Sequence, residues 1–210
     1  MSTNLIAQDT AASADAFRLL SACYYEPDQK MLLEEDLFGQ LRAALELCLP
    51  DSADLADAMA TSLQDTPQQD LLIDYAKLFV GPDVLLAHPY GSVYLDGPKI
   101  LMGDSTIDVI ARYQDADFAI SPEFKEMPDH IAVELEFLYL LCFNEALAQT
   151  EERNDDQQDW NQRRLAFIHD HIGRWIDDFC DKLSNNTQFD YYRHLADLTR
   201  RFINMQKSAN

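Results

Sequence analysis

Five histidines set among 37 aspartates and glutamates are the residues that could do chemistry here. A helical metal hydrolase needs separated histidine ligands and an acidic partner on facing helices. The chain offers Asp129-His130, then His88, His169, His171 and His194, widely scattered. His169 and His171 are two residues apart, which on a helix turns them about 200° from one another, so one ion cannot take both. His-Glu-x-x-His is absent. Ligand number and spacing both fail, so no metal or other cofactor is expected. Nucleotide chemistry fares no better, because neither a phosphate loop nor a Gly-x-Gly-x-x-Gly turn is present. Gly97-Pro98-Lys99 is a weak look-alike, and Gly103-Asp104-Ser105-Thr106 reads as a loop running into a helix cap. Tyr90-Gly91-Ser92 does not make a nucleophile elbow.

One segment gathers polar groups at a helix start: Glu126-Met-Pro-Asp-His130-Ile-Ala-Val-Glu134. Pro128 suits a first helical position, and Asp129 behind it places negative charge at the positive end of the helix dipole. His130 and Glu134 are four apart and share a face. Ile131, Leu135, Leu138 and Cys142 form a separate apolar stripe. Two readings stay open: ordinary helix-start chemistry, or a polar cluster at the mouth of a helix.

The elements that must position this cluster read as helices almost throughout. Ser13 caps a first helix carrying Phe17, Leu20 and Tyr24, which Pro27 ends. A second runs from Met31 to Leu49 before Pro50, a third from Asp51 or Ser52 to Leu63, and a fourth from Thr66-Pro67 to Phe79. Val80 to Gly103 differs, being punctuated by Gly81, Pro82, Pro89, Gly91, Gly97 and Pro98. Its Leu, Val and Tyr content places it against the body, with Gly91 to Leu95 extended at most, and long ordered loops of this kind often carry function. Helices follow over Ser105–Gln114, Pro128–Thr150, Trp160–Leu183 and Phe189–Met205, with a connection through Pro122 and an acidic break over Glu151–Asp159.

Charge narrows the partners. Sixteen Lys and Arg against 37 Asp and Glu leave a formal net charge of −21. Nucleic acid and anionic membrane surfaces are excluded as main partners, since both need clustered cations. A basic ligand would be attracted, unless the acid serves solubility alone. The four cysteines form no Cys-x-x-Cys pair and fit a reducing compartment. Met1 to Thr10 shows no secretory signal, and no run of about 18 apolar residues exists to span a membrane. The cytoplasm is the expected address.

Read in order, Tyr75-Ala-Lys-Leu-Phe-Val-Gly-Pro82, Pro89-Tyr-Gly-Ser-Val-Tyr-Leu-Asp96, Met102-Gly103 and Glu126-Met-Pro-Asp-His130 resemble the successive signatures of the TorD/DmsD/NarJ family. The likeness is concentrated between Tyr75 and Leu141. Such loops often carry Glu after Pro-Tyr, where this chain has Gly91. The resemblance implies an all-α, single-domain helical bundle over residues 1–210, with a long Gly/Pro-rich loop in the middle. It implies a non-catalytic cytoplasmic chaperone that binds the precursor of a redox enzyme, mostly a molybdopterin-containing one. Binding would involve the twin-arginine signal peptide, the mature part or both, and would hold back export until the cofactor is inserted. Tyr75, Gly103, Asp129 and His130 would line or shape the peptide site. Asp129, with Glu126 or Glu134, would take an arginine, while Gly103 would permit a backbone bend. A monomer or a domain-exchanged dimer fits. The alternative is a small metal- or nucleotide-dependent hydrolase or regulator built on Asp129-His130.

Overall fold

Apolar residues recurring every three or four positions govern the described chain, and the outcome is all α. The computed structural model describes residues 2–81, 85–98, 100–121 and 125–208. Pro82, Lys99 and Pro122, which the sequence places in connections, lie outside them. The helices are α1 (Ser2–Ala22), α2 (Gln29–Glu34), α3 (Leu37–Cys48), α4 (Asp54–Asp65), α5 (Gln68–Tyr75) and α6 (Gly91–Leu95). There follow α7 (Asp104–Asp115), α8 (Ile131–Thr150), α9 (Asn154–Asp170), α10 (Ile176–Asn186) and α11 (Asp190–Ser208). Among the described residues, β pairing is limited to one isolated antiparallel bridge, Tyr90 to His130.

At the centre lies α8, whose Ile131, Val133, Leu135, Phe137, Leu138, Leu141 and Cys142 are all buried. A helix apolar nearly all round has to be enclosed, and α1 and α9 pack along it. Phe17 of α1 meets Phe202 of α11 with the rings tilted and their centroids 4.6 Å apart. Tyr24 hydrogen-bonds Thr199 at 2.8 Å. Phe79 and Phe179 meet Tyr24 in the same aromatic group. One contiguous core results.

Several boundaries differ from the sequence reading, each for a local reason. The first helix begins at Ser2, not at a Ser13 cap. Ser13 is buried inside it, its hydroxyl accepting from Gln206 Nε2 at 2.9 Å, and the alanines around it favour continuous helix. Met31–Leu49 is two helices, because Asp36 adopts a left-handed conformation with φ 52°, which Asp tolerates better than most residues. Asp28 caps the first half by accepting from the Met31 N–H at 3.0 Å. The acidic break shrinks to Glu151–Arg153, since Asp155 and Asp156 favour a helix N-terminus. Trp160–Leu183 is interrupted at His171 by a 3-10 turn, Ile172–Arg174, where a Cβ on Gly173 would meet the Ile168 carbonyl oxygen at 2.4 Å. Gly91–Leu95, expected as extended chain, is the short helix α6.

After α5 the backbone widens into a π turn, Ala76–Val80, closed by the Gly81 N–H donating to Ala76 O at 2.8 Å. Gly81 leaves it at φ 96°, where a side chain would be strained. The Leu-Phe-x-Gly element thus encodes a wide turn that sets Phe79 in the core; such turns are frequent at functional sites.

Candidate functional site

Two of the signature segments are a single structural unit. The Ile131 N–H donates to Pro89 O at 2.8 Å and the Gly91 N–H to Asp129 O at 2.9 Å. Asp129 Oδ2 accepts from the Ser92 N–H at 2.8 Å. The Pro-Tyr-Gly-Ser strap is therefore laced to the entrance of α8, and the Asp129 carboxylate sits at the start of α6.

This corrects the expected helix start. Pro128 is not the first residue of α8 and Asp129 is not in its first turn: the helix starts at Ile131, with His130 as its N-cap. His130 Nδ1 accepts from the Ala132 N–H at 3.2 Å, and the imidazole meets the Tyr90 ring edge-on at 5.4 Å. Burial pushes His130 down to about 4 although Glu126 and Asp129 oppose the shift. The ring is thus neutral near pH 7, as its acceptor role requires.

Below the strap lies a second polar layer. Glu134 is paired not with His130 but with His171, Oε1 to Nε2 at 2.7 Å. Burial raises the Glu134 carboxyl, and the imidazole opposes that rise. Burial lowers His171, but the charge and the hydrogen bond of Glu134, with the charge of Asp108, together outweigh it and leave the imidazole raised. Trp175 closes the layer, stacked on Tyr94 at 5.5 Å. An atom at the missing Cβ of Gly91 would lie 3.0 Å from Trp175 Nε1 and 3.2 Å from Glu134 Oε1. Asp129 and Glu134 are both 0% exposed. The direct arginine contact expected of them is unavailable in this conformation: Asp129 ties the strap to the entrance of α8, and Glu134 ties α8 to His171.

What faces outward is an aromatic and acidic layer drawn from four segments. Tyr90 donates its hydroxyl to Glu126 Oε2 at 2.5 Å. Tyr25 donates to Glu136 Oε1 at 2.6 Å. Tyr75 stands near both, for partial burial and then the charges of Glu126 and Glu26 push its phenol up to about 12. Tyr25 and Tyr90 are raised by partial burial and next by their own glutamates, and each also senses Tyr75. Glu26 and Glu126 are exposed and Glu136 half-buried. Among the described residues, no Lys or Arg nitrogen lies within 4.0 Å of these three carboxylates. Three phenol rings and three acids with no cation beside them among the described residues make a surface suited to a guanidinium, through ring faces and charged hydrogen bonds.

Gly103 stands apart from this layer. At φ −82° it needs no glycine for its backbone, so the expected bend is not its role. The bends are at Gly97 and Met102, with φ 131° and 57°. What Gly103 provides is room: a Cβ there would meet Asp96 Oδ2 at 2.3 Å. That oxygen accepts from the Ser105 N–H at 3.1 Å and its hydroxyl at 2.6 Å, capping α7.

Tyr25, Glu136, His171 and Trp175 escaped the sequence reading. Tyr25 and Glu136 lie 111 positions apart, and Glu134 and His171 lie 37 apart, across helices. No local motif links such pairs. Among the described residues, no three His, Cys, Asp or Glu are grouped to hold a metal ion.

Known proteins resemble this chain in sequence and in fold. The profile of the nitrate reductase delta subunit family matches residues 39–181. The "Probable Tat proofreading chaperone DmsD" of Haemophilus influenzae is 28% identical over 184 residues, 87% of this chain and 83% of the relative. The "Chaperone protein TorD" of Aliivibrio fischeri is 26% identical over 161 residues, 74% of each. The "Tat proofreading chaperone DmsD" of Salmonella typhimurium is 26% identical over 208 residues, covering 95% and 90%. In fold, the chain resembles a putative redox enzyme maturation protein from Archaeoglobus fulgidus, with a TM-score of 0.55, 22% identity, and coverage of 91% and 93%. With two-thirds of its length inside the family profile, and two of the signature segments laced together at one helix entrance, the chain belongs to the nitrate reductase delta subunit family, the TorD/DmsD/NarJ group of redox-enzyme maturation chaperones.

Proposed function

We propose that this chain is a client-specific cytoplasmic chaperone that holds the precursor of a redox enzyme, molybdopterin-containing by family likeness, through its twin-arginine signal peptide until the cofactor is in place. The observation that carries the reading is the outward layer of Tyr25, Tyr75 and Tyr90 with Glu26, Glu126 and Glu136, which no cation among the described residues neutralises. Paired arginines supply the missing charge. A flat guanidinium can lie on a phenol ring while its fork meets a carboxylate. In this reading Tyr75 and Glu126 touch the peptide. Asp129, His130 and Glu134 act through the strap that carries Tyr90, and Gly103 keeps the α6–α7 corner that frames it. The net charge of −21 adds long-range attraction for a basic segment.

Calorimetric titration with a peptide carrying two adjacent arginines and a following apolar run tests the site. Wild type should bind, and affinity should fall steeply between about 50 and 300 mM salt, as screened charge requires. Glu126→Gln with Tyr75→Ala should weaken binding by roughly a hundredfold, from one charged hydrogen bond and one ring contact. Equal affinity in wild type and the double variant would remove this layer from the site.

A further inference from the structure

The face of α8 that bears Glu136 does not turn polar as a surface face normally does. Glu136, Tyr139, Leu140, Phe143 and Leu147 are spaced at three and four residues, so they fall within about 100° of arc. Phe143 is 48% and Leu147 39% exposed, and Tyr139 and Leu140 are half-buried. The Tyr139 and Phe143 rings meet at 5.9 Å, so the ridge is continuous at its middle. From Glu136 to Leu147 it runs about 16 Å along the helix. One end is therefore anionic, with Glu136 held by Tyr25 at 2.6 Å, and the remainder is apolar.

We propose that this ridge is the docking surface for the apolar run that follows the arginine pair in the bound peptide. The proposal rests on the function argued above and deepens it by assigning a second contact area and a direction. Charge complementarity fixes the polarity: the guanidinium groups lie at the Glu136 end and the apolar run proceeds toward Leu147, so the peptide runs parallel to α8. Another exposed apolar group, Ile100, Leu101, Met102 and Ile107 around the start of α7, includes no acid of the phenol layer and serves as the control.

The experiment uses the full chain and two labelled synthetic peptides in fluorescence anisotropy. One has two arginines followed by a ten-residue Leu/Ala run; its companion has the same arginines followed by Ser and Gly. Phe143→Ser with Leu147→Ser should weaken the first peptide by roughly tenfold or more, from loss of two partly buried apolar contacts. It should leave the companion's weaker affinity unchanged. Both positions are solvent-facing, and an unchanged thermal melt certifies the fold. Ile107→Ser should bind both peptides as wild type does. Wild-type affinity in the ridge variant, or a loss confined to Ile107→Ser, overturns the assignment, and a ridge that instead mediates self-association would show as that same unaltered affinity with a changed sedimentation profile. If the wild type binds neither peptide, the parent reading fails rather than the ridge alone.

Discussion

Protonating His130 should cost this fold stability in a defined pH window. The imidazole is 4% exposed, and its Nδ1 is the acceptor that caps α8 through the Ala132 N–H. A proton on Nδ1 would remove that acceptor and place a cation in an apolar site, so the folded pKa drops to about 4. In the unfolded chain the value returns to about 6.5. The sign follows: above pH 6.5 both states are neutral and nothing is lost. As pH falls below 6.5 the unfolded state takes a proton that the folded state refuses, and stability declines until pH 4. The full difference is about 3 kcal/mol, of which about 2 kcal/mol is lost between pH 7 and pH 5. The Glu134–His171 pair works in the opposite sense, since both groups are raised and folding gains protons as pH falls. A comparison with a variant is therefore needed. His130→Asn keeps a capping acceptor and cannot titrate. Urea unfolding at pH 7, 6 and 5 should show wild type losing about 2 kcal/mol more than His130→Asn across that range. Parallel curves for the two proteins would refute a buried neutral cap.

The buried pair itself gives a second test. His171→Leu should destabilise by about 3 kcal/mol because it strands Glu134, while Glu134→Leu with His171→Leu should recover much of that loss, read by urea unfolding. Asp129→Ala removes the acceptor of the Ser92 N–H and should cost about 2 kcal/mol. It should also speed amide exchange at Ser92 before the core is affected, which hydrogen exchange resolves. Gly91→Ala would press a methyl against Trp175 and Glu134 and should cost about 1–2 kcal/mol in thermal unfolding.

Much of the fold was readable because amphipathic periodicity survives in most segments: α4, α7, α8 and α11 sit within a few residues of their sequence limits. What escaped were interruptions made by single residues whose conformation depends on tertiary partners. Asp36 turns left-handed beside Gly39, where a Cβ would lie 2.5 Å from its carboxylate. At His171, the helix breaks where the side chain commits to Glu134. In the site, the sequence identified the right segments but not their division of labour. Asp129 and Glu134 look like ligand-binding acids until their partners, Ser92 and His171, come into view. Conversely, Tyr25 and Glu136 carry no motif, and only the packing of α1 against α8 makes them neighbours.

The first helix and the turn that follows it touch α11 at three points, Ser13 to Gln206, Phe17 to Phe202 and Tyr24 to Thr199. During synthesis, α1 emerges long before α11 exists to cover it. Most of its apolar side is taken up by α3 and α8, but these three contacts must wait until α11 has been made. Contacts spanning 175 and 193 positions are of the kind that slow a folding reaction. The part of the core around Phe17 and Tyr24 thus closes only once α11 has been made.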